Sequence, residues 1–166
     1  MVVPQFGQPL PGVDHPDRPA AFAVIERDGR LALVEVQRPW GLALDLPGGG
    51  IDPGETALQA AVRECGEEAG LAVSLDPEPF VRADHFFLHN DGVVRNTRGA
   101  FFAGRVAAEA PDLKIEADHT LVWRDPQSAL VALDRESHAW AVAAWLRLRA
   151  RGSGGSSAPP AAPHPP

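Results

Sequence analysis

The sequence has no tyrosine, a single cysteine and a single methionine, and its 22 acidic residues outnumber its 15 lysines and arginines. One cysteine, Cys65, excludes an intramolecular disulfide framework and a cysteine-rich zinc site. A formal net charge of −7 leaves no broad basic face for contacting phosphate backbones, so no nucleic-acid partner is expected. It does not exclude a small phosphorylated substrate, because bound cations can reverse the local sign. No apolar run approaches the ~18 residues of a membrane-spanning helix, and no membrane partner is expected. The first residues, with Pro4, Gln5, Pro9 and Pro11, lack the basic start and apolar stretch of a signal peptide, which makes the cytoplasm the expected compartment.

What is present is enough for one ordinary domain: 166 residues, 45% of them apolar. Residues 1–17 read as an irregular N-terminal arm. Residues 152–166, built from Gly, Ser, Ala, Pro and one His, read as a disordered tail that cannot offset its own ordering entropy. Between them lies a folded domain, 18–151, without internal repeats. The β-type runs Ala21–Glu26 and Leu31–Gln37 flank Asp28-Gly29, a strong hairpin signal. Trp40–Leu46 reads as a short strand entering a glycine-rich loop, Pro47–Gly50. Phe80–His89 and Val93–Val106 form a second hairpin, and Leu121–Arg124 a further strand. Asp125-Pro126 supplies an N-cap and N1 residue for a short helix, and Ser137–Arg151 a longer one. Strands, a middle helix and closing helices predict an α/β (α+β) domain with a mixed sheet and helices packed on it.

The most informative stretch is Gly49–Leu71, GGIDPGETALQAAVRECGEEAGL. Thr56 and Gln59 have the spacing of a capping box, and Gly70 stands where a helix C′ residue turns left-handed. On a helix over Thr56–Ala69, Leu58, Ala61, Val62, Cys65 and Ala69 share one stripe, which predicts the core-facing side. Glu64, Glu67 and Glu68 share the adjacent stripe, beside the small Ala57 and Ala60, with Arg63 next to Glu67. Like charges at i, i+3 and i+4 each cost a few tenths of a kcal/mol, and Gly66 inside the helix costs roughly 1 kcal/mol against Ala. A bare Glu-x-x-Glu-Glu is most simply a solvated face. Retained together in a well-capped helix, these features point to compensation by a hard divalent cation, which prefers carboxylate oxygens.

Gly49, Glu55, Arg63-Glu64, apolar Cys65, Glu67-Glu68, Gly70 and apolar Leu71 together reproduce the Nudix box, so the chain resembles the Nudix hydrolases of the MutT-like kind. The resemblance implies an α/β/α sandwich with helices on both faces of a mixed sheet. It also implies hydrolysis of a nucleoside diphosphate linked to another moiety, with Mg²⁺ (or Mn²⁺) as cofactor. Carried onto this sequence, Glu64, Glu67 and Glu68 are the implied metal ligands, with the Gly49 carbonyl as a further one, and Arg63 and Glu55 orient the glutamates. The base is left open among Glu68, Glu116 and Asp118. Cys65, on the buried stripe, reads as inert packing. The alternative is a non-catalytic Nudix-fold module that senses a nucleotide.

Outside the box the signals are weaker. His85 and His89, four apart on one strand face, Arg95, Arg98 and Trp40 are candidate substrate contacts, each weighed against a plain surface or core role. Trp140 and Trp145 read as core or dimer-contact residues, which keeps a homodimer open. Diadenosine polyphosphate hydrolases of the resembled family often carry a tyrosine past the box, and this chain has none. ADP-ribose pyrophosphatases often carry a proline where His85-Phe86-Phe87 stands here. A small nucleotide-like substrate, a nucleoside triphosphate first among them, is the reading that remains.

Overall fold

The computed structural model describes residues 2–153, so most of the expected tail lies outside the described residues. Nine strands and three α-helices follow in the order β1 (Gln5–Phe6), β2 (Asp17–Arg27), β3 (Arg30–Arg38), β4 (Gly41–Asp45), β5 (Gly48–Gly50), α1 (Ala57–Ala69), β6 (Leu71–Leu75), β7 (Val81–Leu88), β8 (Val94–Glu109), β9 (His119–Arg124), α2 (Pro126–Ala132) and α3 (Glu136–Ser153). The expected mixed α/β architecture is present. The main path of the sheet is β1-β7-β8-β2-β3-β4, with β5 on β2, β6 on β8 and β9 on β3. Its spine is the parallel pair β2–β8, in register from Asp17↔Asn96 to Glu26↔Arg105.

Alternation along β2 shows why helices cover both faces. Ala20, Phe22 and Val24 pack in a cluster with Ala129, Ala141, Val142 and Trp145 of α2 and α3. Ala23 and Ile25 point the other way, into a cluster with Cys65 and Ala69 of α1. A strand buried on both faces reads as a continuous apolar run, as Ala20–Ile25 does.

The β2–β3 hairpin turns at Asp28 and Gly29, both with positive φ, and pairs Arg27 with Arg30, as a two-residue turn of this hand requires. Three strands escape the sequence reading. Gly48–Gly50, expected as a loop, pairs with Ala20–Phe22. Leu71–Leu75, which leaves α1 directly, pairs with β8. Within the expected irregular arm, Gln5–Phe6 runs parallel to Asp84–His85. At the other end α3 continues through Gly152 and Ser153, beyond the expected stop at Arg151.

Helix α1 begins as expected. The Gln59 amide N–H donates to Thr56 Oγ1 at 3.2 Å and the Thr56 N–H to the Gln59 side chain at 2.9 Å. It ends at Gly70, φ 67°. Its buried face is rotated from the expected stripe: Val62 is 40% exposed, whereas Ala60, Glu64 and Glu68 are buried. Thr56→Ala is expected to lower stability by about 1 kcal/mol through loss of the cap, measured as a shift of the urea midpoint without a change in slope. No shift would show that tertiary packing alone holds this helix start.

Candidate active site

Arg63 organises the first part of the site. Its Nε and Nη2 donate to the two carboxylate oxygens of Glu55 at 2.9 Å each, Nη1 donates to Glu64 at 2.9 Å and to Glu67 at 2.8 Å, and Nη2 also reaches the Gly50 carbonyl at 3.0 Å. A guanidinium has five N–H donors, and these five contacts use them all. Glu55 is consequently held below its ordinary pKa, chiefly by the Arg63 hydrogen bonds.

Glu64 and Glu68 are 7% and 6% exposed, an unusual setting for glutamates. The Glu64 carboxylate lies directly against Gly49, where a Cβ would come within 2.5 Å of its oxygen. The Gly48 N–H donates to Glu68 at 2.9 Å, and His119 Nε2 approaches the other oxygen of Glu68 at 3.2 Å. Burial, then the neighbouring Glu68 charge, push Glu64 up to about 7. Burial raises Glu68 as well, with His119 and the Gly48 amide pulling the other way.

The segment before β9 completes the cluster. Its 3-10 turn, Pro111–Leu113, sits over the buried Gly66, where a Cβ would meet Leu113 at 3.2 Å. The helix-interior glycine is therefore a place of close approach. The Ile115 and Glu116 N–H groups donate to the Glu67 carbonyl at 3.1 Å each. Lys114 donates to the carbonyls of Glu68, Glu116 and His119 at 2.9, 2.6 and 2.6 Å. So fixed, His119 Nδ1 faces Glu116 at 2.9 Å and Asp118 at 3.1 Å. Burial opposes the charge on His119 but is outweighed by Glu68, Asp118 and Glu116, which raise its pKa to about 9.

Donor atoms of Glu64, Glu67 and Glu116 lie within 4.8 Å of one another, as do those of Glu68, Glu116 and His119. At such spacing two carboxylates repel by roughly 3 kcal/mol for an effective dielectric constant of ~20. That exceeds the cost of neighbouring charges on an exposed helix face, and a divalent cation among the oxygens would remove it. The donor set therefore fits a hard metal ion.

The carboxylates open on a cavity of about 180 Å³ that Phe22, Val34 and Val36 also line. Arg18, which packs beside Gly50, also lines it, as do Arg38, Asp45, His89, Asn90 and Arg135. Of these, only His89 was a sequence candidate. The structure brings together Gly49, Glu64, Glu68 and Glu116 at the cavity, with Glu67 and Arg63 immediately behind. The other substrate-contact candidates are not brought there. His85 is buried against Ser137, Nδ1 to Oγ 2.9 Å, because its position on β7 faces α3. Arg95 is tied to Asp91 in its own hairpin, and Arg98 to Asp17 and Asp84. Trp40 stands 47% exposed with its edge toward Phe87, outside the cavity lining. Asp118 is exposed and meets the cluster only through His119. Cys65 is fully buried, and burial drives its thiol pKa up, as an inert role requires.

A mixed sheet between helices, with a capped glutamate helix facing a cavity between strands, defines a Nudix-type hydrolase. The chain belongs to the NUDIX domain family, whose model matches residues 16–146. It is similar to an RNA pyrophosphohydrolase of Sphingopyxis alaskensis, 34% identical over 64% of this chain and 76% of that protein. Among solved structures it resembles a MutT NUDIX hydrolase from Burkholderia pseudomallei, 25% identical with a TM-score of 0.57, covering 76% of this chain and 96% of that one. A NUDIX hydrolase from Nitrosomonas europaea, 22% identical with a TM-score of 0.65, covers 79% of this chain and 89% of its own. The protein is thus a Nudix hydrolase, a family that acts on pyrophosphate linkages and generally uses divalent metal.

Glu64 and His119 both hold protons more tightly in the folded than in the unfolded chain. The stabilisation from Glu64 is complete below its ordinary 4.5 and fades as pH rises through about 7; that from His119 is complete below 6.5 and is lost as pH rises through about 9. In EDTA the melting temperature should therefore fall between about pH 6 and about pH 9.5, and fall less in His119→Gln. A melting temperature that rose over this range in the native chain would contradict the cluster's electrostatics.

Proposed function

We propose that this chain hydrolyses the diphosphate linkage of a small nucleotide, a nucleoside triphosphate or a related nucleoside diphosphate derivative, with Mg²⁺ or Mn²⁺ held by Glu64, Glu67, Glu68 and the Gly49 carbonyl. The observation that carries this reading is the pair of buried glutamates, Glu64 and Glu68, brought with Glu67 and Glu116 around one edge of a cavity. Bound there, a divalent cation polarises phosphoryl oxygens and acidifies a coordinated water.

The protein's own groups supply orientation and proton transfer. Arg63 fixes Glu64 and Glu67 while leaving their remaining lone pairs free. Glu116 is the base of this proposal: it is only partly buried, lies within reach of both carboxylate groups, and is steered by His119. A positively charged His119 would also hold Glu68 ionised for metal.

A small substrate is favoured over a polynucleotide by the surface arginines. Arg95 and Arg98 are both spent on aspartates, which leaves them poorly placed to neutralise successive backbone phosphates. The similarity to an RNA pyrophosphohydrolase makes 5′-triphosphorylated RNA a necessary comparison.

The test is Mg²⁺-dependent release of phosphate or pyrophosphate across nucleoside triphosphates, dinucleoside polyphosphates, nucleotide sugars and 5′-triphosphorylated RNA. Turnover on a small nucleotide is expected, with Glu67→Gln and Glu68→Gln each reducing kcat by on the order of a hundredfold or more. Arg63→Lys should fall by at least about tenfold, since an ammonium has three donors where five are used. Nucleotide binding without any turnover would favour the sensor alternative. Glutamine variants as active as the native chain would refute the assignment of the metal site.

A further inference from the structure

Helix α3 presents more apolar surface than the core takes up. Ala141, Val142 and Trp145 are buried in the cluster that holds Phe22 and Phe101. On another side of the helix, Trp140, Ala143, Ala144, Arg147, Leu148 and Arg151 line a groove of about 360 Å³ together with Phe80 and Val81 at the start of β7. At ~100° per residue these six helix positions fall on one stripe, and Glu136 falls on it as well. None of them lines the cavity of the candidate active site. Leu148 is 48% exposed, and Glu136, Arg147 and Arg151 are exposed too.

The charged members of this stripe are unpaired. Among the described residues, Glu136, Arg147 and Arg151 form neither an ion pair nor a side-chain hydrogen bond. Arg149, off the stripe, pairs with Glu26 at 3.2 Å and lies over Trp145. An acid in the first turn and a base in the last suit the helix dipole, but the dipole does not require them to share a stripe with Trp140 and Leu148. Glu136 and Arg151 stand roughly 22 Å apart along one helix and cannot meet within one chain. A single exposed leucine needs no explanation. A groove with an aromatic wall, and with unpaired charges of opposite sign toward its two ends, calls for one.

The stripe is complementary to its own reverse. Laid antiparallel on a second α3 about Ala143 and Ala144, Glu136 falls opposite the partner's Arg151, and Arg147 opposite the partner's Trp140. Two-fold symmetry makes each pair occur twice. The alanines at the centre allow close approach of the helices, a guanidinium over an indole is favourable, and antiparallel helix dipoles attract. We propose that two copies of this chain associate through α3, each covering the other's groove, to form a two-fold symmetric dimer. A helix face of about 24 Å covers only a few hundred Å² per copy, against the ~800 Å² of a tight complex, so the dimer is a weak one. The interface shares no residue with the active-site cavity and does not rest on the hydrolase reading.

Sedimentation equilibrium on the full chain, from about 5 to about 500 µM, is expected to show monomer passing into dimer. Glu136→Arg and Arg151→Glu each set two like-charge pairs across the interface and should each weaken association by at least about tenfold. The double variant exchanges the charges and should return association to within about threefold of the native chain. Since the two residues cannot meet within one chain, that recovery reads a contact between copies. Ala144→Glu, which puts a carboxylate from each copy beside the two-fold axis, should abolish the dimer. All four variants change positions outside the fully buried core, and circular dichroism checks that each is folded. A monomer throughout the range overturns the proposal, whether the groove is open or taken by residues 154–166 of the same chain. So does a dimer that the single variants leave unchanged, or a double variant that associates no better than either single one.

Discussion

One guanidinium holds the acidic half of this site together. Arg63 spends its five donors on Glu55, Glu64, Glu67 and the Gly50 carbonyl, so it links the loop before α1, the helix itself and the glycine strand β5. Each of those carboxylates would repel the others if left alone. With Arg63 between them, their repulsion becomes a fixed geometry, and free lone pairs remain for a cation. A lysine could neutralise charge here but could not define three directions at once. The capping box at Thr56 and the left-handed Gly70 set the ends of the helix, which fixes where along it Arg63 and the glutamates fall.

Much of this was legible in the sequence because it is local. The helix, its caps, the glutamate stripe and the Arg63–Glu67 proximity follow from spacing within a single element, and both hairpins follow from turn residues flanked by β-type runs. The face of α1 was harder to read. Periodicity placed Val62 inside and the glutamates outside, whereas Glu64 and Glu68 are buried and Val62 is exposed. The reversal comes from the segment carrying Leu113, Lys114 and His119, which folds over the acidic stripe. Gly66, a penalty on helix propensity alone, is the space that lets it do so. Propensity counts the cost of a glycine; only the packed partner shows its use.

What escaped the sequence depended on contacts between distant segments. Arg38 and Asp45 meet Arg135 nearly a hundred residues on only because β3, β4 and the start of α3 converge. Nothing in the local pattern distinguishes these arginines from those of the surface. Conversely, Arg95 and Arg98 seemed available for phosphate because their partners Asp91, Asp17 and Asp84 could be assigned only once the hairpin and β2 were in place. His85 and His89 illustrate the limit of strand periodicity. They share a face, yet His85 is covered by Ser137 of α3 while His89 reaches the cavity beyond the end of the strand. The short strands β1 and β5 carry too few residues to show alternation.

The chain's net charge of −7 gives little guidance to what it binds, because the charge that matters is divided within one cavity. Glu64, Glu68 and Glu116 line that cavity together with Arg18, Arg38, Asp45 and Arg135, and Phe22, Val34 and Val36 border it as well. Apolar side chains beside charged ones weaken the screening of those charges by water. The fold is what brings these opposite charges together, since residues of β2, β3, β4, β5 and α1 and of the segments before β9 and α3 all reach one cavity.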